Sequence, residues 1–166
     1  MHEGAIEEMV AYITAHPEIG LLVPRIVDEQ GEIQYLCKRT PTVSALLGRR
    51  IPGLTTLPFF KKQLDHYSMK DSNYNTTLEP DFCSGCFMLF RSELYKNLGG
   101  FDERFFLYFE DTDITLRAKQ LARTVYYPNA SVTHDWSGGA RNNLKLTRIM
   151  IQSAIKFFNK WGWRWS

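Results

Sequence analysis

Three carboxylates stand close together in the segment FEDTDITLRAKQLA, residues 109–122. They are Glu110, Asp111 and Asp113, and a helix-like pattern follows them. Carboxylates this close could hold a metal ion, or one of them could act as a general base with a supporting neighbour. They could also form the acidic first turn that suits the positive end of a helix dipole. The residue types alone leave these three alternatives open.

The spacing of the two aspartates argues against a shared ion. Successive helical residues differ by about 100° in direction, so Asp111 and Asp113 would point in well-separated directions if both were helical. We predict a helix from Asp113 to Leu121, in which Arg117 lies one turn after Asp113 and pairs with it. Asp113 therefore has a structural explanation.

Asp111 is predicted to lie just outside that helix, directly after an aromatic run. The run contains Phe105, Phe106, Tyr108 and Phe109. An apolar wall of this kind would raise the pKa of the Asp111 carboxyl towards that of a working base. Judged from composition alone, the acidic helix start is still the favoured interpretation, because acidic residues are common at that position.

A C-x-x-C motif, Cys83 and Cys86, lies in the apolar segment FCSGCFMLF. Such a pair could be a redox centre or half of a zinc site. A redox pair usually begins a helix, whereas this one runs into a β-like segment, and a structural zinc would need two further ligands at matching spacing. Cys37 stands apart in the sequence, so we predict ordinary thiols at all three positions.

The elements that must position these residues alternate between helices and strands. Ile6, Met9, Val10 and Ile13 have the spacing of one helical face, and Pro17 ends that helix. A buried strand, IGLLVPRIV, follows, and a turn leads into a second extended piece. This order predicts an α/β layered domain.

The later segments are assigned from the same signals. TVSALLGRR is predicted to be a short helix, and the polar stretch between it and Glu79 a long surface loop. The remaining predictions are a strand at DFCSGCFMLFR, a helix at ELYKNL between an N-cap at Ser92 and a stop at Gly99-Gly100, extended pieces at TVYY and ASVTH, and a last helix over residues 143–160.

Composition restricts the class of protein. The 166 residues, 44% of them hydrophobic, can bury one core, which predicts a single domain or a large part of one. A net charge of +2 argues against a dedicated nucleic-acid binder. No apolar run approaches the roughly 20 residues of a spanning helix, and the first residues do not resemble a secretory signal. A cytoplasmic location is the expectation.

The segment 138–166 is both basic and aromatic. It contains six basic residues and no acidic one, and its aromatic residues include Trp161, Trp163 and Trp165. Aromatic side chains favour the membrane headgroup level, and each basic residue near an anionic surface contributes about 1 kcal/mol of binding. This composition predicts either a peripheral contact with the inner face of the cell membrane or a helix packed on the domain with a solvated basic face.

Several of these segments, in this order, resemble the carboxy-terminal part of bacterial family 2 glycosyltransferases, particularly the rhamnosyltransferase-like group. They are HPEIGLLVPRIVDEQGEIQ, DFCSGCFMLFR, LGGFDERFFLYFEDTDITLRAK, YYPNASVTH and SAIKFFNKWGW. The resemblance extends from about residue 5 to about residue 163. It implies a partial GT-A fold, which is the Rossmann-like fold of nucleotide-diphospho-sugar transferases, with a mixed sheet flanked by helices.

The resemblance also implies roles for individual residues. The family's Glu-Asp motif falls on Glu110 and Asp111. Asp111 would deprotonate the acceptor hydroxyl for an inverting, in-line attack on the anomeric carbon, and Glu110 would assist or orient it. Ser84, Gly85 and Cys86 match the segment that lies near the donor sugar and the acceptor, where a small residue lets the backbone approach a ligand closely.

His134, at the end of ASVTH, matches a position where a family histidine can help to hold the metal or contact the diphosphate. Imidazole supplements oxygen ligands for ions such as Mn²⁺, so metal-ligand and structural roles stay equally open. The family's nucleotide-binding half and its Asp-x-Asp metal motif have no counterpart in this sequence, and the DTD at 111–113 belongs to the base motif. A Mn²⁺ or Mg²⁺ cofactor is therefore expected mainly through residues absent from this chain.

Two functional hypotheses follow from the sequence. The first is an inverting glycosyltransferase, or its carboxy-terminal portion, that transfers a sugar such as rhamnose from a nucleotide-sugar donor to a cell-surface polysaccharide or lipid-linked acceptor. The second is an inactive remnant that acts as a membrane- or protein-interaction module. In both, residues 1–140 belong to a GT-A domain, residues 141–166 form a basic aromatic helix and tail, and assembly into a homo-oligomer stays open.

Overall fold

The computed structural model describes residues 3–135 and 143–166. In chain order its elements are α1 (Ala5–Ala15), β1 (Ile19–Val27), β2 (Cys37–Lys38), α2 (Val43–Arg50), α3 (Pro58–Tyr67), β3 (Phe82–Cys83), β4 (Leu89–Phe90), α4 (Ser92–Leu98), α5 (Glu110–Lys119), β5 (Arg123–Thr133) and α6 (Leu144–Trp161). A short 3₁₀ turn, Leu54–Thr56, lies between α2 and α3.

The main sheet is mixed and has the strand order β4-β1-β5. Strands β1 and β5 are parallel, from Ile19 opposite Arg123 to Val27 opposite Thr133. Strand β4 runs antiparallel to β1, and β2 and β3 form a separate antiparallel pair. A mixed sheet flanked by helices confirms the predicted fold class.

Strand β1 is buried because helices cover both faces of the sheet. On one face Leu22 belongs to the same core cluster as Met9 of α1. On the other face Leu21 clusters with Leu94 of α4 and Ala118 of α5. A sheet covered on both faces requires a continuous apolar strand instead of an alternating one, which is why IGLLVPRIV was recognisable from sequence.

The buried face of α1 differs in part from the prediction. Met9 and Ile13 are buried as expected, but Ile6 and Val10 are exposed, and Ala5 completes the buried row instead. Residues four positions apart lie along one line of a helix. The helix therefore buries a narrow stripe and leaves part of its apolar surface in contact with solvent.

Two predictions for the middle of the chain are wrong. The predicted surface loop contains α3, which begins at Pro58, a residue favoured at the first helical position because its missing N–H would be unpaired there anyway. The segment DFCSGCFMLFR is not one strand, since β3 ends at Cys83, β4 begins at Leu89, and the two lie in different sheets. The N–H groups of Cys83 and Gly85 contact side chains of α5, which interrupts strand pairing.

The ends of α4 agree only partly with the prediction. Its N-cap is Arg91, and Ser92 is the first helical residue. The Arg91 guanidinium donates to the carbonyls of Ile19 at 2.7 Å and His16 at 3.0 Å, which ties α4 to the chain that follows α1. Gly99 ends the helix in the left-handed conformation, as predicted. TVYY and ASVTH belong to one strand, β5.

The last helix, α6, packs on the aromatic segment that precedes α5. Phe157 and Phe158 form a buried cluster with Phe105 and Phe109, which supports the predicted packed helix. Among the described residues no helix is both long and apolar enough to cross a membrane. The predicted division between residues 140 and 141 falls outside the described residues, as does Arg141.

Candidate functional site

Helix α5 begins three residues earlier than predicted, so Asp111 lies inside its first turn. The two residues before the helix, Tyr108 and Phe109, have φ angles of 67° and 68°. Left-handed backbone is costly for aromatic residues, and the packing of the Phe109 ring on Phe157, with centroids 5.1 Å apart, supports it here. The placement of Asp111 just outside the helix is therefore corrected by a backbone reversal that no glycine signals.

The Asp111 carboxylate is held by backbone amides on two sides. It accepts a hydrogen bond from the N–H of Thr112 at 2.7 Å and another from the N–H of Gly85 at 3.0 Å. Burial raises the pKa of the Asp111 carboxyl, while these amides act in the opposite direction. The predicted direction of the pKa shift agrees with the structure, and a carboxylate of raised pKa is a stronger base.

Glu110 is a second carboxyl at the start of α5 with an unusual environment. Its Oε2 atom is buried without a hydrogen-bond partner in the described residues. Burial raises the pKa of Glu110, and the charge of Asp111 contributes a smaller increase. The pair therefore consists of one carboxylate that is fixed by amides and a neighbour with an unpaired oxygen.

Gly85 makes the closest approach to the Asp111 side chain. A Cβ atom at Gly85 would lie 3.2 Å from the Cβ of Asp111, which leaves little room for any other residue. Thr115 reinforces this contact, because its hydroxyl donates to the carbonyl of Asp111 at 2.6 Å and accepts from the N–H of Cys83 at 3.5 Å. Sequence analysis missed Thr115, whose only signal is its position one turn after Asp111.

Ser84 and Cys86 flank Gly85, so the structure brings the predicted substrate-binding segment to the predicted base. Burial raises the pKa of the Cys86 thiol, and a hydrogen bond involving Ser84 partly opposes this. Cys86 thus stays a thiol at neutral pH. The assignment of this segment to substrate binding remains a prediction.

The cysteines are arranged differently from the C-x-x-C motif. Cys83 lies opposite Cys37 in the β2–β3 pair, so its neighbour across the strands is the cysteine that is distant in sequence. Both are buried free thiols, and burial raises the pKa of Cys83 well above its ordinary value. Within residues 3–135 and 143–166, no three His, Cys, Asp or Glu side chains are grouped so that they could hold a metal ion.

Asp113 belongs to a separate, buried network. It is 0% exposed, and its carboxylate accepts from the Nε of Arg117 at 2.8 Å, as the predicted pair requires. Its other oxygen contacts the Nζ of Lys160 at 2.6 Å and the indole N–H of Trp161 at 2.8 Å, both on α6. These contacts occupy both carboxylate oxygens, which argues against a metal clamp shared with Asp111.

His134 follows the last residue of β5 at the edge where the parallel strands end. Its N–H donates to the carbonyl of Val27 at 2.9 Å, and its own carbonyl accepts from the Gln34 side chain at 2.6 Å. The Nδ1 atom is buried and has no partner in the described residues. An unpaired imidazole nitrogen is compatible with the predicted ligand role, which remains a prediction.

The topology brings the start of α5 towards this same edge. A short connection joins the end of α5 to the beginning of β5, and the N–H of Arg123 bonds to the carbonyl of Glu18 just before β1. The end of α5 therefore lies near the amino ends of the strands, and its start is directed towards their carboxyl ends. In open α/β sheets ligands bind at that edge.

Comparison with known proteins gives related sequences of one kind. The chain is 28% identical over 138 residues to a Mycobacterium tuberculosis protein named N-acetylglucosaminyl-diphospho-decaprenol L-rhamnosyltransferase, an alignment covering 79% of this chain and 42% of the relative. It is 38% identical over 58 residues, 35% of the chain and 22% of the relative, to Escherichia coli K12 Rhamnosyltransferase WbbL. The chain thus spans less than half the length of these relatives. No protein-family model and no solved structure matches it.

Proposed function

Because the chain is a relative of rhamnosyltransferases in glycosyltransferase family 2, we propose that it supplies the catalytic base and acceptor side of an inverting glycosyltransferase. The enzyme would transfer a sugar, with rhamnose the first candidate, from a nucleotide-sugar donor to a lipid-linked glycan. The observation that carries this proposal is the Asp111 carboxylate, which has a raised pKa and is fixed by the N–H groups of Gly85 and Thr112.

Asp111 would accept the proton of the acceptor hydroxyl as its oxygen attacks the anomeric carbon of the donor. A new bond forms between this oxygen and the anomeric carbon, the bond from that carbon to the donor phosphate breaks, and the nucleoside diphosphate leaves with the bonding electrons. The two amides leave carboxylate lone pairs free for the proton while they hold the group in one orientation.

Glu110 is proposed to support Asp111 through the local charge. A second carboxylate nearby disfavours loss of the proton from Asp111, so it helps to keep the pKa of the base high. A divalent ion, when bound, would stabilise negative charge on the departing diphosphate. His134, with its unpaired Nδ1, is the candidate of this chain for contact with that ion or with the diphosphate.

A transfer assay tests the function directly. The complete enzyme that contains this chain is incubated with dTDP-rhamnose and, separately, with UDP-sugars, together with a GlcNAc-diphospho-polyprenol acceptor and Mn²⁺. We expect formation of a product with one added sugar and inverted anomeric configuration. Absence of transfer, combined with no saturable binding of any nucleotide sugar in calorimetric titration, would support the inactive interaction module instead.

The outer face of α6 is proposed to contact the membrane that carries the acceptor. Leu144, Ile151 and Ile155 are 88%, 50% and 45% exposed, although other residues of the same helix are packed in the core. The basic Arg148 lies between them and is also exposed. The two alternatives drawn from sequence therefore apply to opposite faces of one helix, and the exposed face has the amphipathic pattern of an interfacial helix.

Vesicle cosedimentation tests this contact. We expect the chain to bind vesicles containing phosphatidylglycerol more tightly than vesicles of phosphatidylcholine alone, because exposed basic residues are attracted to an anionic surface. The double substitution Ile151→Ser and Ile155→Ser should weaken binding about tenfold, since it removes inserted apolar surface. Phe59→Ser, at an exposed apolar residue of α3, serves as the control. Equal binding by the double variant and the unmodified chain would contradict the proposal.

A further inference from the structure

Three basic side chains gather around two tyrosine rings beside the β2–β3 pair. Lys38 donates through its Nζ to the carbonyl of Tyr35, and the same Nζ lies 5.8 Å from the centre of the Tyr67 ring. Lys70 places its Nζ 5.6 Å from the centre of the Tyr35 ring. Arg49, at the end of α2, is close enough to the Tyr67 hydroxyl to lower its pKa. We call Lys38, Arg49 and Lys70 the basic cluster.

The charges of the basic cluster are not neutralised by the protein around it. In the part of the chain that the structure describes, no ion pair joins any of its three members to a carboxylate, whereas the neighbouring Arg39 is paired with Asp71 at 2.9 Å. Burial lowers the pKa of Lys38 to about 8, and repulsion from Arg49 contributes, as does a smaller repulsion from Lys70. Like charges held together without a counter-charge form an arrangement that a bound anion would relieve.

The basic cluster also lies close to the candidate base. Burial raises the pKa of Tyr67 to about 12, and the charge of Asp111 adds to this increase, so the two side chains are near enough to interact. Lys38 is the residue opposite Phe82 in β3, three positions before Gly85. Since Gly85 bonds to Asp111, a short and continuous set of contacts connects the cluster to the site.

We propose that Lys38, Arg49 and Lys70 bind a diphosphate group close to Asp111. Ammonium and guanidinium groups form charge-assisted hydrogen bonds with phosphate oxygens, and an arginine can contact two of them at once. The inference rests on the proposed function for the origin of its ligand. The diphosphate belongs either to a lipid-linked acceptor or to the nucleotide-sugar donor, and the chemistry of recognition is the same for both.

Calorimetric titration with inorganic pyrophosphate tests the site without any transfer reaction. We expect saturable binding by the full 166-residue chain, weakening as salt is raised, and a roughly tenfold loss of affinity in Lys38→Gln and in Arg49→Gln. Lys96→Gln, at an exposed position on α4, removes the same charge elsewhere and should bind normally. Lys38→Arg keeps the charge and should retain most of the affinity even if Lys38→Gln is poorly folded.

Two competitors identify the source of the diphosphate. Farnesyl diphosphate displacing pyrophosphate more effectively than dTDP assigns the site to the acceptor, and the reverse order assigns it to the donor. Absence of pyrophosphate binding, or equal losses in the site variants and Lys96→Gln, overturns the proposal. Because Asp111 takes no part in these titrations, failure of the basic cluster is distinguishable from failure of Asp111 as the base.

Discussion

Replacing Asp111 with Asn is expected to lower the turnover of the complete enzyme by about 10³-fold, within the range that general bases usually contribute. The amide of Asn is similar in size to the carboxyl group but cannot take a proton from the acceptor hydroxyl. The variant should retain the fold and donor binding, which circular dichroism and titration with the nucleotide sugar will check. The matched control is Asp65→Asn, at an exposed position on α3.

The pH dependence of the same enzyme gives a second measurement. Because burial raises the pKa of Asp111, the carboxyl remains protonated to a higher pH than an ordinary aspartate. The kcat/KM value should therefore fall as the pH is lowered through this raised pKa, and the midpoint should lie above the usual Asp range of about 3.9. Near-normal turnover by Asp111→Asn, or persistence of this limb in its residual activity, would exclude Asp111 as the base.

Replacing Asp113 with Ala is expected to lower the free energy of unfolding by about 3 kcal/mol. Removal of one partner of a buried ion pair leaves an uncompensated charge, which typically costs 3–5 kcal/mol. Here both Arg117 and Lys160 would lose their contact with the carboxylate, and Trp161 would lose its hydrogen-bond acceptor. We expect the lower end of the range because the two cations are partly exposed. Urea unfolding followed by tryptophan fluorescence measures the loss.

The control for this prediction is Asp71→Ala, which breaks an ion pair at the surface. Asp71 and Arg39 are joined by two hydrogen bonds of 2.9 and 3.1 Å, yet the Asp71 side chain is largely exposed. Exposed pairs usually contribute less than about 1 kcal/mol, because water screens the charges. If both variants lost the same stability, burial of Asp113 would not be the cause, and the attachment of α6 to α5 through this residue would have to be abandoned.

The two aspartates show why residues two positions apart have different fates. Asp113 lies on the side of α5 that faces α6, and charged and indole donors surround it there. Asp111 lies on the side that faces Gly85, where backbone amides are its donors. Helical geometry alone was enough to predict that they diverge, but the identity of the partners from α6 and from the segment after β3 was not available from local spacing.

Local patterns were sufficient for several features because their causes act over a few residues. The continuous apolar run of β1, the terminal helix and the pairing of Asp113 with Arg117 follow from periodicity and i,i+4 spacing. The ordered motifs were also sufficient to predict the resemblance to rhamnosyltransferases that the related sequences confirm. Helix α3 was missed because its polar, solvent-facing composition is similar to that of a loop.

The sequence by itself determined the fold class, the family resemblance and the residue types available for chemistry. Only the tertiary structure decided that α5 starts at Glu110 after two left-handed aromatic residues, that Gly85 reaches the Asp111 carboxylate, and that distant basic residues form one cluster. The physical reason is that burial, backbone reversal and the addition of charges depend on segments far apart in the chain. These distant contacts raise the pKa of Asp111 and leave the basic cluster without a counter-charge in the described residues.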